Sequence, residues 1–327
     1  MFKTRNLIYL KPCAPVLNST ARLRWQIARA TTSHFQPRHL TTSTAGKKPD
    51  LIVVGSGIAG LSAAISAAEK GASVLIVERF HGGGTSALSG GVVYARGGTR
   101  QQKEASYDDT PENMFAYLRQ EVGSAVNEAT LKRFCDESVE HLEWLEKHGA
   151  RFEASMCPYK TSYPANKHYL YYSGSEKAYP FNEKAKPMPR GHRMVHPGFS
   201  GGGLAQALLD SAKRLGIQLL PTTKVEEVLL NENGSVRGVK CRTMADSLGL
   251  QKHKKLTQRA LQYQLTIPPL AAMLHKRANA IFERELRTES IEAPSVVLAA
   301  GGFTFNPEMR QMYLPEFSGV APRGHTS

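Results

Sequence analysis

Six residues constrain this chain more than any others: Gly55-Ser56-Gly57-Ile58-Ala59-Gly60. They follow a short β-rich run, Leu51-Ile52-Val53-Val54, and open an Ala-rich stretch closed by Glu69-Lys70-Gly71, so the segment reads as strand, tight turn and helix. In that position each glycine has a task. Gly55 permits the turn, Gly57 lets the backbone approach a pyrophosphate, and Gly60 lets helix and strand pack closely. The helix dipole and free N–H groups then meet the phosphates. A second β-rich run, Ala72 to Val77, completes a βαβ unit and forecasts a parallel sheet. Glu78 ends it 23 residues after Gly55, placed to accept hydrogen bonds from ribose hydroxyls. This much suits NAD or FAD.

Leu51 to Ala68 is free of charge for 18 residues, which is long enough to span a membrane. Its interior breaks at Gly55-Ser56-Gly57, so strand, turn and helix describe it better. The net charge of +14 is unevenly spread. Residues 1–48 hold nine Lys and Arg and no acid, which leaves 33 basic and 28 acidic residues for the remainder. That Arg-rich, Ser/Thr-rich opening fits a mitochondrial transit peptide, with Arg38-His39-Leu40 before Thr41-Thr42-Ser43 as a cleavage context. The alternatives are a cytoplasmic protein, or a disordered basic arm for nucleic acid or anionic lipid. The mildly basic remainder gives no ground for a nucleic-acid partner. Cys13, Cys135, Cys157 and Cys241 form neither a disulfide framework nor a metal motif.

Helices are expected at Pro111 to Leu118 and Glu128 to His148, the second with apolar spacing at Leu131, Phe134, Val139, Leu142 and Leu145. Residues 151–202, rich in Pro, Gly, Tyr and His, read as a long irregular excursion. Helix returns at Gly203 to Leu215, followed by strands at 218–220 and 224–230 and a turn at Asn231 to Gly234 leading into 235–242. Residues 251–287 form a basic helical insertion around Pro268-Pro269, with Leu270, Leu274, Ile281 and Leu286 on one face; it packs on the domain or lies on a membrane surface. Ser295 to Ala300 reads as a buried strand, and 316–327 as a C-terminal tail.

A second glycine-rich segment, His81-Gly82-Gly83-Gly84-Thr85-Ser86-Ala87-Leu88-Ser89-Gly90-Gly91, cannot be ordinary helix and offers bare backbone and hydroxyls to a ligand. Here the sequence resembles the flavoprotein subunit family of fumarate reductase and succinate dehydrogenase, and within it the 3-oxosteroid dehydrogenases. The loop at 83–91, Val225-Glu226-Glu227-Val228 and Val296 to Phe303 with Asn306 and Glu308-Met309 carry the resemblance in family order over residues 50 to about 315. It implies an α/β fold: a Rossmann-like, doubly wound FAD-binding domain with a β-rich insertion. It further implies FAD held by Gly55, Gly57, Ala59, Gly60, Glu78, Arg79, Gly84, Thr85, Ser86, Ser89, Gly90, Gly91, Val225 and Ala300. The family moves a hydride between flavin and a carbon–carbon bond next to a carbonyl, on a steroid, enone or dicarboxylate, with an electron donor or acceptor that the sequence leaves unnamed.

The chain stops at Ser327, where that family's cap domain would begin, so the cap is expected to be absent or truncated. Tyr163, in Cys157 to Pro164, resembles the steroid-dehydrogenase tyrosine that assists proton transfer near the flavin; it is otherwise an aromatic packed in a loop. Arg193, in Arg190-Gly191-His192-Arg193 with His196, could meet a substrate carbonyl or the flavin's negative edge, or be a solvated loop charge. Two function classes follow: an FAD-dependent oxidoreductase, or a truncated, catalytically silent flavin-binding protein. The loop at 82–91 disfavours a plain NAD-dependent dehydrogenase.

Overall fold

The computed structural model of the chain describes residues 48–95, 98–244, 249–263, 266–303, 306–317 and 319. The basic leader up to residue 47, and with it the targeting reading, lies outside the described residues, as does the tail beyond 319.

Three sheets are described. The first is parallel, built from β1 (Leu51–Val54), β2 (Val74–Val77), β6 (Gln218–Leu220) and β10 (Val296–Leu298) in the order β10-β1-β2-β6. Val53 lies opposite Ile76 on one side and Val297 on the other. Its central strands are continuous β-branched and leucine runs because both faces are covered, and Ile52, Val53, Leu75, Ile76 and Val77 are all buried. Burying one such side chain contributes about 1.5–3 kcal/mol. Helix α1 (Ile58–Glu69) makes the crossover from β1 to β2 and buries Leu61, Ala64 and Ile65.

The second sheet is a meander of β7 (Thr223–Leu230), β8 (Val236–Thr243) and β9 (Arg287–Glu292). The forecast turn at Asn231 to Gly234 joins the first two, and Val239 carries this sheet into the core with Ile52, Leu75 and Val77. The third, β3 (Val92–Tyr94), β4 (Leu170–Tyr171) and β5 (Gly191–Arg193), is ordered β3-β5-β4. So the 151–202 excursion is not wholly irregular. The sheet's middle strand, β5, is buried throughout, but it is three residues long and carries His192 and Arg193, so no apolar alternation reveals it.

The helices between are α2 (Arg100–Glu104), α3 (Pro111–Val122), α4 (Glu128–Lys147), α5 (Phe181–Lys184) and α6 (Gly201–Arg214). Helix α4 buries Leu131, Cys135, Ser138, Leu142 and Leu145. The stripe therefore runs through Cys135 and Ser138, and the expected Phe134 stands 40% exposed. The insertion forms a hairpin of α7 (Gly249–Tyr263) and α8 (Pro268–Glu285) between β8 and β9. A short α9 (Pro307–Tyr313), capped by the Asn306 side chain on the N–H groups of Glu308 and Met309, and a 3₁₀ turn at Pro315–Phe317 end the described fold. One further expectation needs correction: β10 is an edge strand with Leu298 67% exposed rather than a buried one. Arg287 to Glu292, which the sequence left unassigned beyond the insertion, is a strand that its charged composition concealed.

Candidate functional site

The first glycine turn folds as the spacing demands. Gly55 has φ +100°, and a Cβ there would lie 2.5 Å from the carbonyl oxygen of Ala299 beyond β10. A Cβ on Gly60 would lie 2.0 Å from the Gly55 oxygen, so α1 starts pressed onto its own turn. Ala300 is exposed beside this turn, and Ala59 is exposed on the first turn of α1. Glu78 is 5% exposed, and its carboxylate is anchored from within. Ser56 donates to Oε2 through its N–H (2.9 Å) and its hydroxyl (2.6 Å), and Phe80 N–H donates to Oε1 (2.8 Å). A carboxylate has about four acceptor sites, so the group is oriented but not exhausted. Arg79 points outward with its guanidinium 5.2 Å from the Phe80 ring. Val225, on β7 beside a bulge, packs on the cluster under β2, two residues beyond the Thr223 N–H that bonds the Glu78 carbonyl.

The second glycine segment packs directly on the first. Gly83 N–H donates to Ser56 O and Ser56 Oγ, both at 3.2 Å, and Ile58 N–H at the head of α1 donates to Ser86 Oγ at 3.2 Å. Thr85 to Leu88 form a single 3₁₀ turn, with Gly84, Thr85 and Ser89 exposed. From the other side α6 closes in: Gly201 N–H donates to Ser89 O at 3.0 Å, and a Cβ on Gly201 would stand 2.3 Å from Ser86 O. The loop 83–91 is thus held between the N-termini of two helices.

Tyr163 and Arg193 meet at the far end of that loop. Tyr163 Oη lies 2.8 Å from Gly90 O, 3.1 Å from Gly198 O and 3.2 Å from Ser200 Oγ, and it accepts from Ser200 N–H at 3.0 Å. Arg193 is fully buried, its guanidinium carbon 4.6 Å from the Tyr163 ring centre. Nε donates to Ser200 Oγ; Nη1 to Pro164 O and Ala165 O; Nη2 to Asn166 Oδ1, His196 O and Gly198 O, all within 2.7–3.1 Å. The residues 190–193 are therefore not solvated loop charges. Strand alternation sends Arg190 and His192 the other way: Arg190 makes a fully buried ion pair with Asp109 (2.6 and 2.9 Å), and His192 sits between Thr99 Oγ1 and Arg190 O. His196 turns its Nδ1 to Pro197 O at 2.8 Å.

Residues 50–326 match the family described as FAD binding domain. The chain belongs to that family. Its relatives include 3-oxo-5-alpha-steroid 4-dehydrogenase of Comamonas testosteroni, 44% identical over 216 residues, covering 64% of this chain and 40% of the relative. NADH:fumarate oxidoreductase of Klebsiella pneumoniae is 26% identical over 283 residues, covering 86% and 23%. Among solved structures, the 3-ketosteroid-delta4-(5alpha)-dehydrogenase of Rhodococcus jostii, in complex with 4-androstene-3,17-dione, superposes with TM-score 0.69 at 31% identity over 86% of this chain and 52% of the other. An open flavocytochrome c3 fumarate reductase (TM-score 0.60, 22% identity, 86% and 38% covered) shares the fold. The chain spans about half or less of the length of these proteins.

The family's cofactor is FAD, and the residues of this FAD-binding domain fit it. Gly57 brings no side-chain cap to α1, so apart from Ile58 the first-turn donors are left for an anion. The bare backbone of Gly57 lies against Ser86, and the oriented Glu78 stands at the end of the adjoining strand. Two members of the site escaped sequence reasoning. Ser56 orients Glu78, and Ser200 ties Tyr163 to Arg193; the signals were the unassigned position inside the glycine motif and the Ser-Gly-Gly-Gly run at 200–203.

Burial pushes the imidazoles of His192 and His81 down to about 4, with His253 and Lys254 adding to the effect on His81. A folded pKa below the unfolded 6.5 means that the unfolded chain binds protons first as pH falls. Stability from these groups is complete above about pH 6.5 and is lost from there toward pH 4, at about 1.4 kcal/mol per pH unit for each histidine. Urea midpoints of the wild type and His192→Gln across this window test it: the two curves should converge as pH falls, and parallel curves would refute the assignment.

Proposed function

We propose that this chain forms the FAD-binding part of an oxidoreductase that acts on a carbon–carbon bond next to a carbonyl, with a 3-oxosteroid or related enone as substrate in preference to a dicarboxylate. The observation that carries this reading is the 44% identity to 3-oxo-5-alpha-steroid 4-dehydrogenase, against 26% to the fumarate enzyme. When bound, the flavin supplies the hydride chemistry. The chain's own residues would do the rest: α1 and the loop 83–91 take the pyrophosphate, Glu78 the ribose, and Ala300 and Val225 flank that cradle. Tyr163 and Arg193 enter this reading as positioning residues. The phenol and guanidinium are engaged with Gly90, Ser200 and the 164–166 and 196–198 backbones, so they set the flavin-side end of the loop instead of carrying a proton.

Purified full chain should carry, or take up from solution, a flavin absorbance spectrum. With an artificial electron acceptor, 3-oxosteroids should turn over faster than unsaturated dicarboxylates. A chain that takes up no flavin overturns the reading, and dicarboxylate turnover exceeding steroid turnover overturns the substrate class. Bound flavin without any turnover favours the silent flavin-binding alternative.

A further inference from the structure

The charge of this protein has an address. Residues 249–287 contain eight Lys and Arg and two acids, whereas the rest of the chain after residue 48 contains 25 basic and 26 acidic residues. Outside the leader, the whole net positive charge therefore sits on one helical hairpin. The hairpin is firmly rooted. Ala271, Leu274, Ala278, Ile281 and Phe282 of α8 are buried, with Ile281 and Phe282 packed on Met244. His253 of α7 is 1% exposed with its ring 5.6 Å from that of His81, and Glu285 accepts from Gly249 N–H. With that face turned inward, Lys252, Lys255 and Arg259 form an exposed stripe along α7 at i, i+3 and i+7, and Lys276 and Arg277 are exposed on α8.

The hairpin's two acids are directed elsewhere: Glu283 pairs with Arg242 and Glu285 with Arg284, both at 3.0 Å. No ion pair joins the α7 stripe to a carboxylate among the described residues. Near the tip, where α7 gives way to α8, Ile267 is 47% and Met273 42% exposed. The exposed positions of both helices carry no aromatic ring on which a nucleobase would stack. Among the described residues no helix is long and apolar enough to cross a membrane.

We propose that the α7–α8 hairpin is a docking surface for an anionic lipid bilayer. Its Lys and Arg stripe meets the headgroup charge while Ile267 and Met273 enter the interface beside it. Long cationic side chains suit that boundary, because their stems lie along apolar groups while their heads stay with the phosphates. This inference is independent of the flavin reading, since no residue of the cofactor seam belongs to the stripe.

Full-length protein sedimented with phosphatidylcholine vesicles, with and without phosphatidylserine, at low and high salt, tests it. Binding should require phosphatidylserine and weaken with salt. Lys252→Gln, Lys255→Gln and Arg259→Gln together should lower the partition coefficient roughly 100-fold, from about 1 kcal/mol per cation near an anionic surface. Ile267→Ser with Met273→Ser should lower it further. Far-ultraviolet circular dichroism and the melting temperature of the variants check that they fold. Because the leader is also basic, Arg22→Gln, Arg24→Gln and Arg29→Gln serve as the control, and loss of binding there with retention in the α7 variant overturns the proposal. Capture by immobilised polyglutamate without capture by phosphatidylserine vesicles also overturns it, and points to an acidic protein instead.

Discussion

Glu78→Ala is expected to destabilise the folded chain by about 3 kcal/mol and to weaken FAD binding by a further ten- to hundredfold. The first effect follows from what the carboxylate holds. Its Oε2 takes both donors of Ser56, and Oε1 takes the Phe80 N–H, at the end of a buried parallel strand. Truncation leaves two backbone N–H groups without acceptors, each costing about 1–3 kcal/mol where water cannot replace the partner. The second effect follows from the proposed ribose contact, since a charge-assisted hydrogen bond of about 1.5–3 kcal/mol corresponds to that range in affinity. Folding and binding are separable. Urea denaturation without added FAD reads the first, and a fluorescence titration at low denaturant reads the second. Glu78→Gln sharpens the comparison, because it keeps the volume while facing the Ser56 donors with an amide. A variant with unchanged FAD affinity would remove Glu78 from the ribose site even if its stability fell as expected.

Where local spacing determines the structure, the sequence could be read closely. Gly55 and Gly60 are demanded by contacts within a few residues of themselves or with the single strand that closes over them, and β1, α1 and β2 lie within two residues of their expected bounds. The loop at 83–91 was legible for a similar reason, since few residues other than glycine tolerate so close an approach to a neighbouring helix. Elsewhere the deciding contacts are remote in sequence. Arg193 closes on residues 164–166, 27 to 29 positions earlier, and Arg190 on Asp109, 81 residues away. A charged residue is read from sequence as exposed by default, and only its partners show otherwise. The same reasoning explains β9: its Arg, Glu and Ser residues are half or fully exposed on an outer strand, so no apolar alternation announces it, and its register is set by β8.

Arg193→Met should be the more damaging substitution, at about 3–5 kcal/mol, with a fall in the melting temperature on the order of 10 °C. Methionine fills much of the space of the arginine stem but donates nothing. The three guanidinium nitrogens serve six acceptors, four of them backbone carbonyls that bring residues 164–165 and 196–198 together behind Tyr163. With those carbonyls unpaired, the turn that presents Ser200 loosens, and Ser200 is the residue before the start of α6 that presses on Ser86 and Ser89. Loss should therefore propagate to the cofactor: the variant is expected to hold FAD less tightly even though Arg193 needs no contact with it. Tyr163→Phe removes the donor to the Gly90 carbonyl and the acceptor of the Ser200 N–H, and should cost about 2 kcal/mol, with a smaller loss of flavin. The comparison separates positioning from chemistry. Positioning predicts that melting temperature and FAD affinity fall together in the order wild type, Tyr163→Phe, Arg193→Met, and that any residual turnover scales with bound flavin. A direct catalytic role predicts unchanged melting and full flavin occupancy with turnover abolished, and that outcome would return Tyr163 and Arg193 to the reacting centre.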